Sequence, residues 1–179
     1  MAVMRSRHGG YTFFELIVVI IVVSLTGAAF LDRLNLYQEL AERAAMESTI
    51  RLIKTGLQIR LAELIVTNRQ GEAAQLETED PTQWLDARPA NYAGDYREPP
   101  KPGKWYFDSG RRQLVYVVHN GARLEIDRLG STRELRFQAR LLKDRFKIGG
   151  ATVYSVTGVT IVPITPFRWS LSEPTAILT

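Results

Sequence analysis

Residues 11–31 read YTFFELIVVIIVVSLTGAAFL, and Glu15 carries the only charged side chain among them. An α-helix rises about 1.5 Å per residue, so this run predicts a helix of about 31 Å, long enough to cross the hydrocarbon core of a bilayer. Valine and isoleucine are mediocre helix formers in water, but a single span in lipid must be helical to satisfy its backbone groups. Because Arg5 and Arg7 precede the run, we expect the amino terminus in the cytoplasm and the rest of the chain outside.

Three interpretations of this run differ in what they require of Glu15. A secretory signal peptide, cut at the small residues of 26–29, and a simple signal anchor both need only the apolar residues. A carboxylate in a bilayer costs roughly 2.5–3.5 kcal/mol at the centre and less near the edge. The presence of Glu15 therefore favours a third interpretation, in which the carboxylate has a role.

The residues around Glu15 carry a family signature. Residues 10–15, GYTFFE, followed by the aliphatic run, resemble type IV prepilins, which have a short basic leader ending in glycine, then a hydrophobic residue, threonine, two hydrophobic residues and glutamate. The resemblance implies cleavage between Gly10 and Tyr11 by a prepilin peptidase, which also methylates the new amino group of Tyr11. Glu15 would be the fifth residue of the mature chain, as in the family, and Tyr11 stands where phenylalanine is usual.

The spacing of Tyr11 and Glu15 suits a contact between neighbouring chains. Cleavage would leave a positive amine on Tyr11, and Glu15 lies about one helical turn later. The Glu15 carboxylate favours the helix dipole of its own chain and can pair with the Tyr11 amine of a neighbour. Low dielectric strengthens this attraction and desolvation offsets much of it, so we expect the pair to set register and subunit assembly more than to add affinity.

Helical periodicity continues through residues 32–67, which predicts an amphipathic second half of one long helix. The apolar positions recur at helical spacing: Tyr37, Leu40, Ala41, Ala44, Ile50, Ile53, Leu57, Leu61, Leu64 and Ile65. The charged positions are predicted to lie largely off this stripe: Glu39, Glu42, Arg43, Glu47, Arg51, Lys54 and Arg60. Asn68 and Gly71 are stop signals that end the helix near Thr67.

Residues 68–104 change character and are predicted to be mainly connecting loop. They hold five prolines, and residues 72–98 have an acidic excess. Asp80-Pro81 is a capping pattern that predicts a short helix carrying Trp84 and Leu85. In pilin-like proteins this position, between helix and sheet, often makes subunit contacts; the alternative is a solvated loop.

The hydrophobic period becomes two beyond residue 104, which predicts an antiparallel sheet of four or five strands in residues 105–179. Turn signals at residues 108–110, Asp-Ser-Gly, and 119–121, His-Asn-Gly, mark two hairpins. A strand containing Leu124 and Ile126 is expected to follow the second turn. The apolar face of this sheet would cover the helical stripe.

A change of parity is predicted in the later strands. Leu142 and Phe146 alternate in the opposite sense from Leu141, which indicates a bulge or bend. Residues rich in valine, isoleucine and threonine follow and form a further strand that ends near Ile164. The tail after Pro163 carries no assignable pattern.

The sequence shows no pattern for catalysis, a cofactor or a metal. It has no cysteine, which removes thiol nucleophiles, disulfides and cysteine-ligated metals. Of its two histidines, His8 lies in the predicted leader and His119 in a predicted turn. Zinc-protease, phosphate-loop and dinucleotide motifs are absent from the sequence. We therefore expect no enzyme activity, no cofactor and no metal.

A basic cluster over residues 128–147 places Arg136 and Arg140 on one strand face. Such a stripe can bind DNA phosphates, as in competence-type minor pilins, but aromatic residues for base stacking are not interleaved with it. A solvated face, or one that meets the acidic loop of a neighbouring subunit, is the favoured interpretation, and nucleic acid is not expected as a partner. Arg136 and Arg140 remain candidate contacts to DNA or to another subunit.

Together these patterns predict a pilin-like α+β protein with a long amino-terminal helical spine on a carboxyl-terminal antiparallel β-sheet. Its parts are a leader (1–10), a transmembrane half of the spine (11–31), an amphipathic half (32–67), a connecting region (68–104) and the sheet (105–179). The resemblance implies a structural subunit of a type II secretion pseudopilus or of a type IV or mannose-sensitive-haemagglutinin-type pilus.

The resemblance also implies partners and a location. The partners are copies of the chain, other pilins or pseudopilins, prepilin peptidase, an assembly platform protein, an ATPase and the lipid bilayer. The chain would be a single-pass inner-membrane protein with a periplasmic carboxyl-terminal domain, later incorporated into a periplasmic or surface filament. The alternatives are a signal-anchored periplasmic enzyme and a DNA-binding minor pilin.

Overall fold

The computed structural model describes the backbone of residues 12–126, 133–148 and 151–170, and their side chains except those of residues 29, 32, 148 and 151–153. The chain divides into two compact units, Met1–Gln38 (unit 1) and Glu39–Thr179 (unit 2). The elements are helix α1 (Phe13–Val66), 3-10 helices η1 (Gln70–Glu77) and η2 (Pro81–Trp84), and strands β1 (Tyr92–Asp95), β2 (Lys104–Asp108), β3 (Gln113–Val117), β4 (Leu124–Ile126), β5 (Glu134–Ile148), β6 (Ala151–Pro163) and β7 (Phe167–Trp169).

The core of unit 2 lies between α1 and one face of a β-sheet, so this unit is α+β. The helix contributes apolar side chains that are at most 4% exposed: Met46, Ile53, Leu57, Leu61 and Leu64. The sheet supplies the opposing layer: Trp105, Leu114, Tyr116, Leu135, Phe137 and Val159. Each fully buried aliphatic side chain stabilises the fold by roughly 1.5–3 kcal/mol. The predicted apolar stripe through Ile53, Leu57 and Leu64 is confirmed.

The main sheet is mixed, which corrects the prediction of an antiparallel one. Its strand order is β1-β2-β3-β5-β6, and β1 pairs with β2 in parallel, while the other neighbours are antiparallel. The parallel pair forms because residues 96–103 return over the outer face of the sheet. On that face the Tyr96 and Tyr106 rings meet edge to face at 6.0 Å, and the Lys101 N–H donates to the Tyr106 hydroxyl at 2.9 Å.

The strand after His119-Asn120-Gly121 does not form the predicted hairpin with β3. Instead β4 pairs with β7 in a separate two-stranded sheet, and β5 takes the place beside β3. The physical cause is competition for backbone N–H groups. Those of His119 and Asn120 donate to the Glu42 carboxylate on α1 at 2.7 and 2.6 Å, which ties the turn to the helix. β7 also gives structure to part of the tail that showed no sequence pattern.

The helix boundaries follow the local signals. α1 ends at Val66, and Asn68 has a φ of 57°, the left-handed conformation that stops a helix. The predicted cap at Asp80 is confirmed, because its carboxylate accepts a hydrogen bond from the Thr82 N–H at 2.9 Å at the start of η2. Besides the predicted short helix η2, the segment predicted to be mainly loop also holds η1 and β1.

The buried face of α1 near residue 40 differs from the prediction. Tyr37 and Leu40 are 63% and 38% exposed, whereas Glu39, which was expected off the apolar stripe, is 2% exposed. Glu39 precedes Met46 and Ile53 by seven and fourteen residues, so it shares their side of the helix. Hydrogen bonds from Arg123 and Trp169 to the Glu39 carboxylate compensate for its burial.

The predicted irregularity near Leu142 is confirmed. The β5–β6 register shifts between Leu142 and Lys143, whose partners are Gly158 and Val156. The additional residue, Thr157, lies on β6. The bulge exchanges the faces of β6 on its two sides, so that Val156 and Val159 both reach the core side.

Gly56 lets η2 approach α1 closely. A Cβ at this position would lie 2.6 Å from the Trp84 carbonyl oxygen. We expect Gly56→Ala to lower the free energy of unfolding by about 1–3 kcal/mol, because the strain of overpacking exceeds the helix propensity gained, at most about 1 kcal/mol. Denaturant unfolding of the full chain in detergent, followed by tryptophan fluorescence, measures this change. Gly71→Ala is the control, since a Cβ there meets nothing within 4 Å; equal stability of the two variants would contradict the prediction.

Candidate functional site

The candidate assembly site begins at the amino-terminal end of α1, where Thr12 caps the helix. The Thr12 carbonyl oxygen accepts from the Leu16 N–H at 3.1 Å, and the Thr12 hydroxyl oxygen accepts from the Glu15 N–H at 3.3 Å. A threonine followed three residues later by glutamate is a capping-box pattern. The Thr-Phe-Phe-Glu part of the motif therefore starts the helix and places a carboxylate in its first turn.

The apolar part of α1 in unit 1 exposes its side chains all around the helix. From Leu16 to Val23 every side chain is exposed, with fractions between 39% and 62% for the large ones. Such a helix has no apolar covering within its own unit and suits a lipid or helix-bundle environment. Among the described residues, α1 is the one helix long and apolar enough to cross a membrane, by length and composition.

The Thr26 hydroxyl, inside the apolar stretch, is satisfied by its own helix. The Thr26 hydroxyl donates to the carbonyl oxygens of Val22 and Val23, at 2.9 and 3.0 Å. This back-bonding hides the hydroxyl in a lipid-like surrounding. Glu15 carries the one charged side chain of residues 12–31. Gly10 and Tyr11, the predicted cleavage and methylation positions, lie outside the described residues.

Within unit 2, Glu39 and Glu42 of α1 hold the segment between β3 and β4. The Glu42 carboxylate accepts from the Tyr116 hydroxyl at 2.8 Å as well as from the two turn N–H groups. The Glu39 carboxylate accepts from the backbone N–H of Arg123 at 2.8 Å and from its guanidinium at 3.1 Å. These contacts form what we call the clasp, the side chains of Glu39 and Glu42 with their partners.

The clasp extends to β7. The Trp169 indole N–H donates to Glu39 Oε1 at 2.9 Å, and the Arg43 guanidinium donates to the Trp169 carbonyl oxygen at 2.7 Å. Burial and the hydrogen bond to Glu42 raise the pKa of Tyr116 above its usual value. The buried carboxylate of Glu39 is thus surrounded by donors, which is the condition under which a buried charge is tolerated. The clasp fastens the two-stranded sheet to the helix.

Sequence reasoning missed the clasp, although one signal was present. Glu39 continues the seven-residue spacing of Met46 and Ile53, so a charged residue occupied a position of the buried stripe. A charge at such a position predicts a dedicated partner in the fold. The partner, Arg123, lies 84 residues further along the chain, and no local pattern in the sequence identifies it.

Arg136 lies on the outer face of the sheet and is held by two carboxylates. Its guanidinium donates to Asp108 Oδ2 at 3.0 Å and to Glu134 Oε2 at 2.8 Å, and it lies 5.1 Å from the centre of the Tyr96 ring. Partial burial alone would lower the pKa of Arg136, but the hydrogen bonds to both carboxylates raise it. Burial and the hydrogen bond to Glu134 raise the pKa of Tyr96 to about 12.

The two candidate arginines share a strand face but differ in surroundings. The Arg136 side chain is 15% exposed and its charge is balanced within the unit. Arg140 is exposed, and its guanidinium donates to Gln138 Oε1 at 3.4 Å. An external anion would therefore find Arg140 accessible and Arg136 already paired. His119 lies in an exposed bend. Within the described part of the chain, no group of three or more histidine or carboxylate side chains could hold a metal ion.

Comparisons with protein-family models, with curated proteins and with solved structures found no match for this chain.

Proposed function

We propose that this chain is a structural subunit of a type IV filament-like assembly, a type II secretion pseudopilus or a type IV pilus. The observation that carries the proposal is the combination in residues 10–31: the GYTFFE motif, a capped helix, and a lone carboxylate at the head of an otherwise uncharged apolar run. A span that served only as an anchor or an export signal would gain nothing from that carboxylate.

In this proposal the apolar helix has two successive environments. It first holds the subunit in the inner membrane, and after cleavage it packs against the helices of other subunits in the filament. Side chains exposed all around the helix, from Leu16 to Val23, suit both environments. Glu15 then faces the amine of Tyr11 in a neighbour and sets the register between subunits.

Unit 2 would be the filament's outward domain in this proposal, with its sheet as the surface for other subunits or for cargo. The chain performs no chemistry itself; the prepilin peptidase processes it, and an ATPase with a platform protein drives assembly. The mixed sheet and the separate β4–β7 pair would be this subunit's particular version of a pilin-like domain.

Mass spectrometry of the mature terminus tests the proposal. We expect the protein extracted from membranes of cells with a prepilin peptidase to begin at Tyr11 and to carry an added methyl group on its amine. The expectation follows from the Gly10–Tyr11 junction and its basic leader. Cells without the peptidase provide the control and should yield a chain that begins at or near Met1.

Two results would contradict the proposal. A terminus near Ala29 would identify the apolar run as a cleaved signal peptide, and a terminus at Met1 in cells with active peptidase would identify it as a simple anchor. Gly10→Ala is the matched variant, because a side chain at the cleavage glycine should block processing without altering the apolar run.

A further inference from the structure

Strands β5 and β6 continue beyond the rest of the sheet. β3 accompanies β5 only as far as Phe137, and the Leu141 N–H is taken by Glu77 of η1 at 2.8 Å. Past this point lies what we call the arm, residues 142–148 of β5 and 151–158 of β6, which pair only with each other among the described residues. Its large side chains are exposed: Leu142 by 51%, Phe146 by 48% and Tyr154 by 67%.

Among the described residues, no strand pairs with the outer edge of β6, and β6 itself is uncharged. β6 ends the strand order of the main sheet, and its thirteen residues, ATVYSVTGVTIVP, include no charged side chain. The neighbouring β5 carries seven charged residues. Natural edge strands usually carry charges or prolines that prevent pairing with another chain. On β6 only the bulge at Thr157 and the terminal Pro163 interrupt the edge, so the strand is a template for an added strand.

We propose that the arm binds a second copy of this chain by strand addition, with the free edge of β6 pairing antiparallel to the outer edge of the neighbour's β5. That second edge is also open, because within the described residues β5 has no strand on its outer side beyond Phe137. Both edges belong to the same arm, so each copy offers one edge to the copy before it and one to the copy after it. The contact can therefore repeat.

The charge distribution supports this occupant, because an uncharged β6 meets the basic face of the neighbour's β5 without like-charge repulsion. Lys143, Arg145 and Lys147 alternate along one face of β5, and Arg145 pairs across the hairpin with the exposed Tyr154. Strand addition places the uncharged β6 between two basic strands and separates their cations by two strand spacings. The face of the Tyr154 ring can then form cation–π contacts with Arg145 of its own chain and with a basic side chain of the neighbour's β5.

The direction of the strands decides between two ways of joining copies. β5 starts near Glu42, since the Val118 N–H donates to the Arg133 carbonyl and the adjacent His119 N–H to Glu42. Further along β5, the Leu141 N–H donates to Glu77 of η1, the helix that follows the carboxyl-terminal end of α1 in the chain. The arm therefore lies at the end of unit 2 away from Glu39, where the chain enters this unit.

Antiparallel pairing of β6 with β6 of a second copy would turn that copy end over end. Pairing of β6 with the neighbour's β5 keeps both copies in the same direction, as two chains anchored in one membrane require. This choice of direction rests on the proposed membrane anchoring, whereas the pairing of the open edges does not.

Cross-linking of single-cysteine variants tests the proposal, since the chain has no cysteine of its own. Full-length Ser155→Cys and Asp144→Cys chains, with tags of different size, are co-expressed in membranes and treated with a mild oxidant or a short bismaleimide. We expect several-fold more mixed dimer than from a Ser109→Cys pair, in which the same substitution sits in the exposed turn after β2. Adding Tyr154→Lys to the Ser155→Cys chain should reduce the mixed dimer several-fold, whereas adding Ser109→Lys should not.

Two results of this cross-linking experiment would overturn all or part of the proposal. A yield no higher than that of the Ser109→Cys control overturns the proposal. Predominant dimers of Ser155→Cys with itself overturn the β6–β5 arrangement in favour of an end-over-end pair. Uncut chains can be cross-linked too, so a wrong prediction about the terminus at Tyr11 leaves this measurement valid.

Discussion

Glu15→Ala is expected to abolish filament assembly while leaving membrane insertion intact. Removal of the carboxylate makes the apolar run easier to insert, because it relieves a cost of up to roughly 2.5–3.5 kcal/mol in the bilayer. It also removes the partner for the Tyr11 amine of a neighbouring chain, which would leave that amine unpaired among packed helices. Shearing and electron microscopy of filaments, with membrane fractionation in parallel, separate the two effects.

The helix cap provides an alternative role for Glu15 that the variants can separate. A first-turn carboxylate stabilises its own helix by about 0.3–1 kcal/mol. Glu15→Gln also loses this dipole interaction, but glutamine can still complete the capping box with Thr12, and a loss of at most about 1 kcal/mol in one helix would only reduce the filament yield. If the pair with the Tyr11 amine is required, Glu15→Gln should instead fail to assemble almost as fully as Glu15→Ala. Thr26→Val is the matched control, because the Thr26 hydroxyl is bonded to its own helix backbone, and it should assemble normally. Filaments of ordinary yield from Glu15→Ala would contradict the assembly role.

Glu39→Ala is expected to lower the free energy of unfolding of unit 2 by about 3–5 kcal/mol, because it leaves the Arg123 backbone N–H and the Trp169 indole N–H without an acceptor, at about 1–3 kcal/mol each. Glu39 is 2% exposed and accepts from the Arg123 backbone, the Arg123 guanidinium and the Trp169 indole. Glu39→Gln keeps an oxygen for the neutral donors and loses the charge, so its cost should be smaller, about 1.5–3 kcal/mol.

Denaturant unfolding of the full chain in detergent gives both values, with Trp169 among the fluorescent reporters. Glu47→Ala is the control on the same helix. Glu47 also pairs with an arginine, Arg43, at 2.8 Å, but the two side chains are 42% and 38% exposed, so its loss should cost at most about 1 kcal/mol. If Glu39→Ala and Glu47→Ala proved equally stable, the clasp would not hold β4 and β7 to the helix in the way we describe.

The clasp also explains two of the predictions from sequence that were wrong, the hairpin after β3 and the exposed position of Glu39. An Asn-Gly turn after β3 predicts a hairpin on local grounds, and the backbone N–H groups at this turn would normally join the sheet. The Glu42 carboxylate takes the N–H groups of His119 and Asn120 instead. A long-range acceptor on the helix thus outweighs the local signal. The same reasoning applies to Glu39, whose charge is acceptable in the core only because distant donors meet it there.

Several patterns that depend on neighbours in sequence were confirmed, although the stripe near Leu40 and the Asn-Gly hairpin signal were not. The apolar run, the stripe from Ile53 to Leu64, the stop at Asn68, the Asp80 cap and the irregularity at Leu142 each follow from spacing, capping or parity within a few residues. These features are governed by backbone conformation and by which side chains share a face, and both are local properties.

Tertiary structure decided the strand pairings that no local turn signal predicts, unlike the β2–β3 hairpin at residues 108–110. The parallel β1–β2 pair and the separate β4–β7 sheet join strands that no tight turn connects. Their energies come from side chains that meet only after folding, such as Tyr96 with Tyr106 or Glu39 with Trp169. The GYTFFE pattern and the apolar helix can be recognised from the sequence because each consists of consecutive residues. The clasp and the unpaired edge of β6 become visible only in the folded chain, because they depend on which segments the fold brings together and which it leaves apart.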